Sequence, residues 1–142
     1  EYRTQVALLP QRPAFQEGSV DQNWRMPFDF RERSNQHFDS SRFKPWLEML
    51  ELPTDFARKQ TAELSGGERQ LAALLRMLQF DPHLLLLDEP ASALDESKSK
   101  KMEELLNDWQ KQVPGRTWIW VSHDSRQAER VGDEVLELGA VS

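Results

Sequence analysis

Two neighbouring acids, Asp88 and Glu89, follow directly on the four leucines Leu84 to Leu87. A carboxylate at the end of a buried strand suits Mg²⁺, a hard cation that keeps several waters and takes one or two protein carboxylates beside phosphate oxygens. Asp88 is the candidate for that position. Glu89 leaves the strand end in another direction and is placed to accept a proton from an attacking water. The same pair also reads as two exposed acids leading into a turn at Pro90. A second stretch, Ser65-Gly66-Gly67-Glu68, forms an S-x-x-E capping box at a helix start. Free N–H groups with no side chains in the way also make such a start a phosphate site, although capping is the commoner job for the tetrad. His123 suits a hydrogen bond to a terminal phosphate, or is an ordinary satisfied histidine, and Gln11 alone carries almost no signal.

The elements around these residues give them a common place. Residues 4–9 are β-prone and end at Pro10-Gln11, and the stretch up to Phe30 reads as loop, with Pro13, Gly18 and Pro27 among polar residues. From Ser40 the apolar positions Phe43, Trp46, Leu47 and Leu50 fall at helical spacing until Pro53, and a further helix is expected after Asp55. Leu71, Leu74, Leu75 and Leu78 place a helix over 67–80, which Asp81-Pro82 ends. The four leucines are short and apolar at every position, as in a parallel strand covered on both faces. Met102, Leu105, Leu106 and Trp109 mark a helix ending near Pro114-Gly115. The strand 117–121, a short helix over 125–131 and a strand from Val135 to Leu138 complete the chain. This alternation predicts a parallel, doubly wound sheet over 83–138, with an all-helical insertion at about 30–80. In open α/β sheets ligands bind outside the carboxyl ends of the strands. Gln11, Asp88-Glu89 and His123 all stand at such ends.

Bulk composition narrows the classes. The chain of 142 residues is 38% hydrophobic and 30% charged, and its longest purely apolar run, Leu71 to Leu75, is five residues, against ~20 needed to cross a bilayer. A net charge of −6 opposes a nucleic-acid footprint, and the densest basic run, Lys98-Ser99-Lys100-Lys101, lies beside Glu103 and Glu104 as on a solvated helix face. With no cysteine there is no disulfide, which fits a reducing cytoplasm. The five tryptophans have no interleaved basic residues and are expected in packing rather than base stacking. The chain begins at Glu1 and meets a strand-like segment within ten residues, so a missing upstream part is expected.

Taken in order, Leu8-Leu-Pro-Gln11, Leu64-Ser-Gly-Gly-Glu68, Leu84-Leu-Leu-Leu-Asp-Glu-Pro90, Ser92-Ala-Leu-Asp95 and Val121-Ser-His123 resemble the ATP-binding-cassette family from its Q-loop to its switch histidine. The resemblance covers nearly the whole chain. It implies the C-terminal part of a P-loop NTPase, a RecA-like parallel sheet flanked by helices, with an all-helical subdomain and without the N-terminal lobe. The implied division is 1–25 for the end of a core strand and the Q-loop, 26–80 for the helical subdomain with the signature, and 81–142 for the core. By this similarity Gln11 touches Mg²⁺ or water and links the site to the membrane subunit, and Ser65, Gly66, Gly67 and Glu68 form the signature that presses on ATP held by the opposite subunit. Asp88 serves Mg²⁺, Glu89 is the catalytic carboxylate, Asp95 crosses the dimer interface, and His123 contacts the γ-phosphate. The implied activity is that of the ATPase subunit of a membrane transporter. It works as a homodimer with a transmembrane permease on the cytoplasmic face of the inner membrane, with ATP and Mg²⁺ and without nucleic acid.

The sequence departs from the family pattern in places. The Gly-x-x-x-x-Gly-Lys-Ser/Thr loop and the adenine-stacking aromatic are not in these 142 residues, so the chain alone is expected neither to hold MgATP tightly nor to hydrolyse it. Glu68 stands where many members carry Gln, and Leu71 replaces a common Arg. The segments Leu78-Gln-Phe80, Ser92 to Ser97 and Asn23 to Pro27 resemble small two-component bacterial exporters of the iron-efflux kind. A soluble cassette of the chromosome or translation-factor type is the alternative. Gln11 and Leu64 lie only 53 positions apart, without heptads, which opposes the chromosome type. A helical interaction module with coincidental caps is the third reading. It requires that Glu89→Gln in the complete protein leave activity intact.

Overall fold

The computed structural model describes residues 5–137. Three parallel strands, β1 (Val6–Leu9), β2 (Leu84–Asp88) and β3 (Thr117–Val121), form a sheet in the order β1-β2-β3. Leu9 pairs with Leu87, and Asp88 with Val121, so the carboxyl ends of all three strands reach one edge. Helices α1 (Val20–Arg25), α2 (Phe43–Met49) and α3 (Gly66–Leu78) fall between β1 and β2. Helix α4 (Glu96–Gln112) connects β2 to β3, and α5 (Ser125–Val131) follows β3.

Side chains alternate across a strand, and the two faces of this sheet differ. Leu9, Leu85 and Leu87 are fully buried, and Trp118 and Trp120 on the same face pack against the core. Met102, Leu105, Leu106 and Trp109 of α4 belong to that core, as do Leu71, Leu74, Leu75 and Leu78 of α3. On the other face Leu8, Ile119 and Val121 are each more than half exposed. The leucine strand therefore does not behave as a strand buried at every position. Leu84 and Leu86 are only partly covered, because no layer among the described residues lies over them. Trp24 and Trp109 are buried, and Trp46 is partly buried against the core, as packing residues should be.

The helical region is held by aromatic contacts. The Trp24 indole stacks on Phe43 at 4.0 Å, and its N–H donates to the Ala72 carbonyl of α3 at 2.9 Å. Helix α1 lies where the sequence predicts loop. It spans less than two turns, too short to show a periodic stripe, and it is fixed by its own capping box: Ser19 Oγ accepts from the Gln22 amide, and the Ser19 amide donates to Gln22 Oε1. The helix expected after Asp55 is instead two short 3₁₀ turns, Phe56–Arg58 and Thr61–Glu63. There the backbone is taken up elsewhere. The Val20 amide donates to the Lys59 carbonyl, and the Thr61 amide to the Gly18 carbonyl.

Helix α3 ends at Leu78, and three residues on the chain turns away at Asp81, whose backbone is left-handed at φ 49° and whose amide donates to the Leu78 carbonyl. The Asp81 carboxylate accepts from Arg42 Nη2 at 2.7 Å and from Arg116 Nη2 at 3.1 Å, tying the helical region to the end of α4. Lys98 of α4 donates to the Leu50 carbonyl behind α2. Gly115, at φ 89°, turns the chain from α4 into β3. The strand expected from Val135 is not formed: residues 135–137 are irregular, with Leu136 almost wholly exposed, and Leu138 lies outside the described residues.

Candidate active site at the carboxyl edge of the sheet

Parallel pairing brings three of the sequence-marked segments to one edge. Gln11 stands two residues beyond β1, Asp88 ends β2, and His123 stands two residues beyond β3. Asp88 shares the open face of the sheet with Ile119 and Val121, and its side of the edge is exposed. A single accessible carboxylate of this kind suits a cation whose other ligands are waters and phosphate oxygens. Among the described residues no group of three or more His, Cys, Asp or Glu forms a metal cage.

Glu89 follows in a left-handed conformation, φ 46°. A non-glycine residue there is held against a local cost of order 1 kcal/mol or more, and such residues gather at functional sites. The neighbouring strand holds it. The Glu89 amide donates to the Val121 carbonyl at 2.9 Å, extending the β2–β3 ladder by one residue. This turns the Glu89 carboxylate toward the loop after β3. Its Oε1 accepts from the His123 amide at 2.6 Å and lies 3.5 Å from His123 Nε2. The carboxylate is largely enclosed while the imidazole is almost fully exposed. Asp124 fixes the far end of this loop by capping α5, its Oδ1 accepting from the amides of Arg126 and Gln127.

At the start of α3 the glycine tetrad forms the expected capping box. Ser65 Oγ accepts from the Glu68 amide, and Glu68 Oε1 accepts from the Ser65 amide, each at 3.1 Å. Burial works against the Glu68 carboxylate, but the Lys59 ammonium and the Ser65 amide outweigh it and hold its pKa below the usual range. The box uses the third amide of the helix and leaves those of Gly66 and Gly67 at an exposed end. Gly67 has a further reason to be glycine. A Cβ there would stand 2.9 Å from the Ala93 carbonyl oxygen and 3.0 Å from a Leu94 methyl, so the turn after Pro90 presses directly on the helix start. Asp95 is given a local task, capping α4 by accepting from the Lys98 amide at 2.8 Å.

Sequence reasoning passed over Gln70. It is 2% exposed, on the apolar side of α3. Its Nε2 donates to the Gln11 carbonyl at 3.2 Å and to the Glu89 carbonyl at 3.3 Å, and its Oε1 accepts from the Ala93 amide at 3.4 Å. The available signal was its position: a carboxamide four residues before Leu74, on the leucine stripe, must find partners when buried.

Residues 1–92 match the family described as ABC transporter. The chain is 37% identical, over 96% of its length, to the probable iron export ATP-binding protein FetA of Escherichia coli K12, and covers 59% of that protein. It is 38% identical over 94% of its length to ABC transporter I family member 17 of Arabidopsis thaliana, covering 49% of it. The chain thus spans about half the length of the curated relatives it matches. Among solved structures, the dimeric ATP-binding cassette MJ0796 in a post-hydrolysis state with ADP and Pi superposes with a TM-score of 0.71 at 27% identity, over 88% of this chain and 55% of that one. CbiO1 of Clostridium perfringens, part of the ABC transporter complex cbiONQ, gives 0.65 at 26% identity over 86% of this chain and 48% of its own. With the order of its loops, the parallel sheet and these likenesses in agreement, the chain belongs to the ABC transporter family.

Proposed function

We propose that these residues form the hydrolytic and signature half of an ATPase subunit that drives a membrane transporter. The observation that carries this is the pairing of Glu89 with the His123 loop at the edge where Asp88 and Gln11 also end, since proton acceptor, metal carboxylate and phosphate contact must converge on one triphosphate. Glu89 accepts the proton of the attacking water. Its carboxylate already takes one N–H from the His123 loop, which orients it and ties its position to that loop. Asp88 and the Gln11 carboxamide are the groups that would hold Mg²⁺, which would supply neutralisation of charge on the phosphate oxygens. His123, exposed at the loop tip, contacts the terminal phosphate. The amides of Gly66 and Gly67, at the positive end of a thirteen-residue helix, meet the phosphates of a nucleotide held by a second copy.

The dimeric MJ0796 cassette with ADP and Pi supports the paired arrangement. The relatives named for iron export and for ABC transport favour a transporter over a soluble cassette, and the likeness to FetA favours the iron-efflux branch. A transmembrane permease is then the partner, with this subunit on the cytoplasmic face of the inner membrane. Among the described residues no helix is long and apolar enough to cross a membrane itself.

The test is Glu89→Gln in the complete protein. Hydrolysis should fall by roughly 10²- to 10⁴-fold, the range for losing a general base, while ATP-driven dimerisation persists. Hydrolysis within a few-fold of the parent would remove Glu89 from the mechanism and sink the reading.

A further inference from the structure

We propose that Gln70 is a positioning residue that locks the Gln11 loop, the Glu89 strand end and the Ala93 turn to the helix carrying the signature. The inference rests on the ATPase reading above and adds to it a physical link between the two ends of the subunit's chemistry.

All three partners of the carboxamide are backbone atoms, and they belong to two loops: Gln11 follows β1, and Glu89 and Ala93 stand at the two ends of the turn between β2 and α4. Two carbonyls facing Nε2 and one amide facing Oε1 fix which end of the carboxamide is which, because the flipped group would set its oxygen against two oxygens. Only an uncharged group with two donors and an acceptor satisfies this set. The side chain is buried, so water cannot replace it at low cost. One of its partners is the carbonyl of Glu89, the residue held in the left-handed conformation. Rotation of that backbone swings the carboxylate away from the His123 amide. A second partner, the Ala93 amide, lies in the turn that presses on Gly67. Gln70 also sits one and a half turns from Ser65 on the same rigid helix. Displacement of the signature end, as when a second copy docks on it, therefore acts through one side chain on the proton acceptor and on the Gln11 loop together.

The experiment measures MgATP hydrolysis by the complete protein carrying Gln70→Met or Gln70→Glu. Methionine keeps length and apolar packing and removes all three bonds. Glutamate keeps an acceptor for the Ala93 amide and sets oxygen against the two carbonyls. We expect kcat to fall by roughly ten- to a hundredfold, the scale of a small misplacement of a reacting group, with KM changed less than about threefold, since the loss is confined to the transition state. A folded Gln70→Met protein with kcat within twofold of the parent overturns the inference, as does a rise in KM alone. Failure of both variants to fold also overturns it, because the carboxamide is then purely structural. A parent protein that hydrolyses no ATP overturns the functional reading and this inference with it, whereas an active parent with an indifferent Gln70 overturns this inference alone.

Discussion

Trp24 and Glu89 occupy the two kinds of environment this chain builds. Trp24 is buried, stacked on Phe43, near Phe56 and bonded to a carbonyl of α3, so its position is over-determined by packing. Glu89 sits in a left-handed backbone conformation, held by one ladder bond to β3 and by single hydrogen bonds accepted from the His123 amide and from Gln70. Apolar contact is non-directional and sums over many atoms, so no single contact sets the position of the indole. The edge of the sheet relies on a few directional bonds, each of which sets an angle. Stability resides mainly in the first region, and the second is where the proposed chemistry is placed.

Substitutions separate the two. Trp24→Ala should cost about 3–5 kcal/mol, as for other large buried aromatics, read as a lowered urea midpoint; a loss below 1 kcal/mol would show that α1 contributes little to the core. Glu89→Gln should leave that midpoint nearly unchanged while hydrolysis by the complete protein falls by roughly 10²- to 10⁴-fold. A smaller effect is expected at the boundary between the regions. Gly67→Ala places a methyl against the Ala93 carbonyl and a Leu94 methyl, and should destabilise by about 1–3 kcal/mol, the cost of overpacking. A neutral Gly67→Ala would mean that the turn yields, and that its contact with α3 is not fixed.

The smallest effect is a pH dependence. The folded pKa of Glu68 lies below its ordinary value, so its contribution is present above about pH 4.3 and is lost as pH falls through the lower folded value. Lys59→Met should flatten this acid limb by up to about 1 kcal/mol, the upper range for a partly exposed pair. Urea midpoints at neutral and acid pH check it, and an acid limb of unchanged steepness would assign the shift to another partner.

Much of this was legible along the chain. Helix α3 announces itself through Ser65, Glu68 and four leucines at helical spacing, because capping and amphipathicity are local properties. Strands β2 and β3 follow from their apolar runs, and Asp88, Glu89 and His123 stand out because they end those runs. Helix α1 was hidden because two turns carry too little periodicity. The segment after Asp55 misled because its backbone bonds go to residues 18–20, some forty positions earlier. Val135 and Leu136 have strand-forming side chains but no neighbouring strand among the described residues, and β propensity without a partner forms no ladder.

The sequence by itself determined which residues end each strand, that Ser65 and Glu68 cap α3, and that the chain alternates strand and helix. Those features depend on side chains within one or two turns of each other. Only the tertiary structure decided that Glu89 faces the loop of His123, that Gly67 lies under the Ala93 carbonyl, and that Gln70 joins the loops after β1 and β2. Each of these joins segments between 19 and 59 positions apart through a hydrogen bond or a steric contact, and a bond of that kind leaves no period or composition in the chain that makes it.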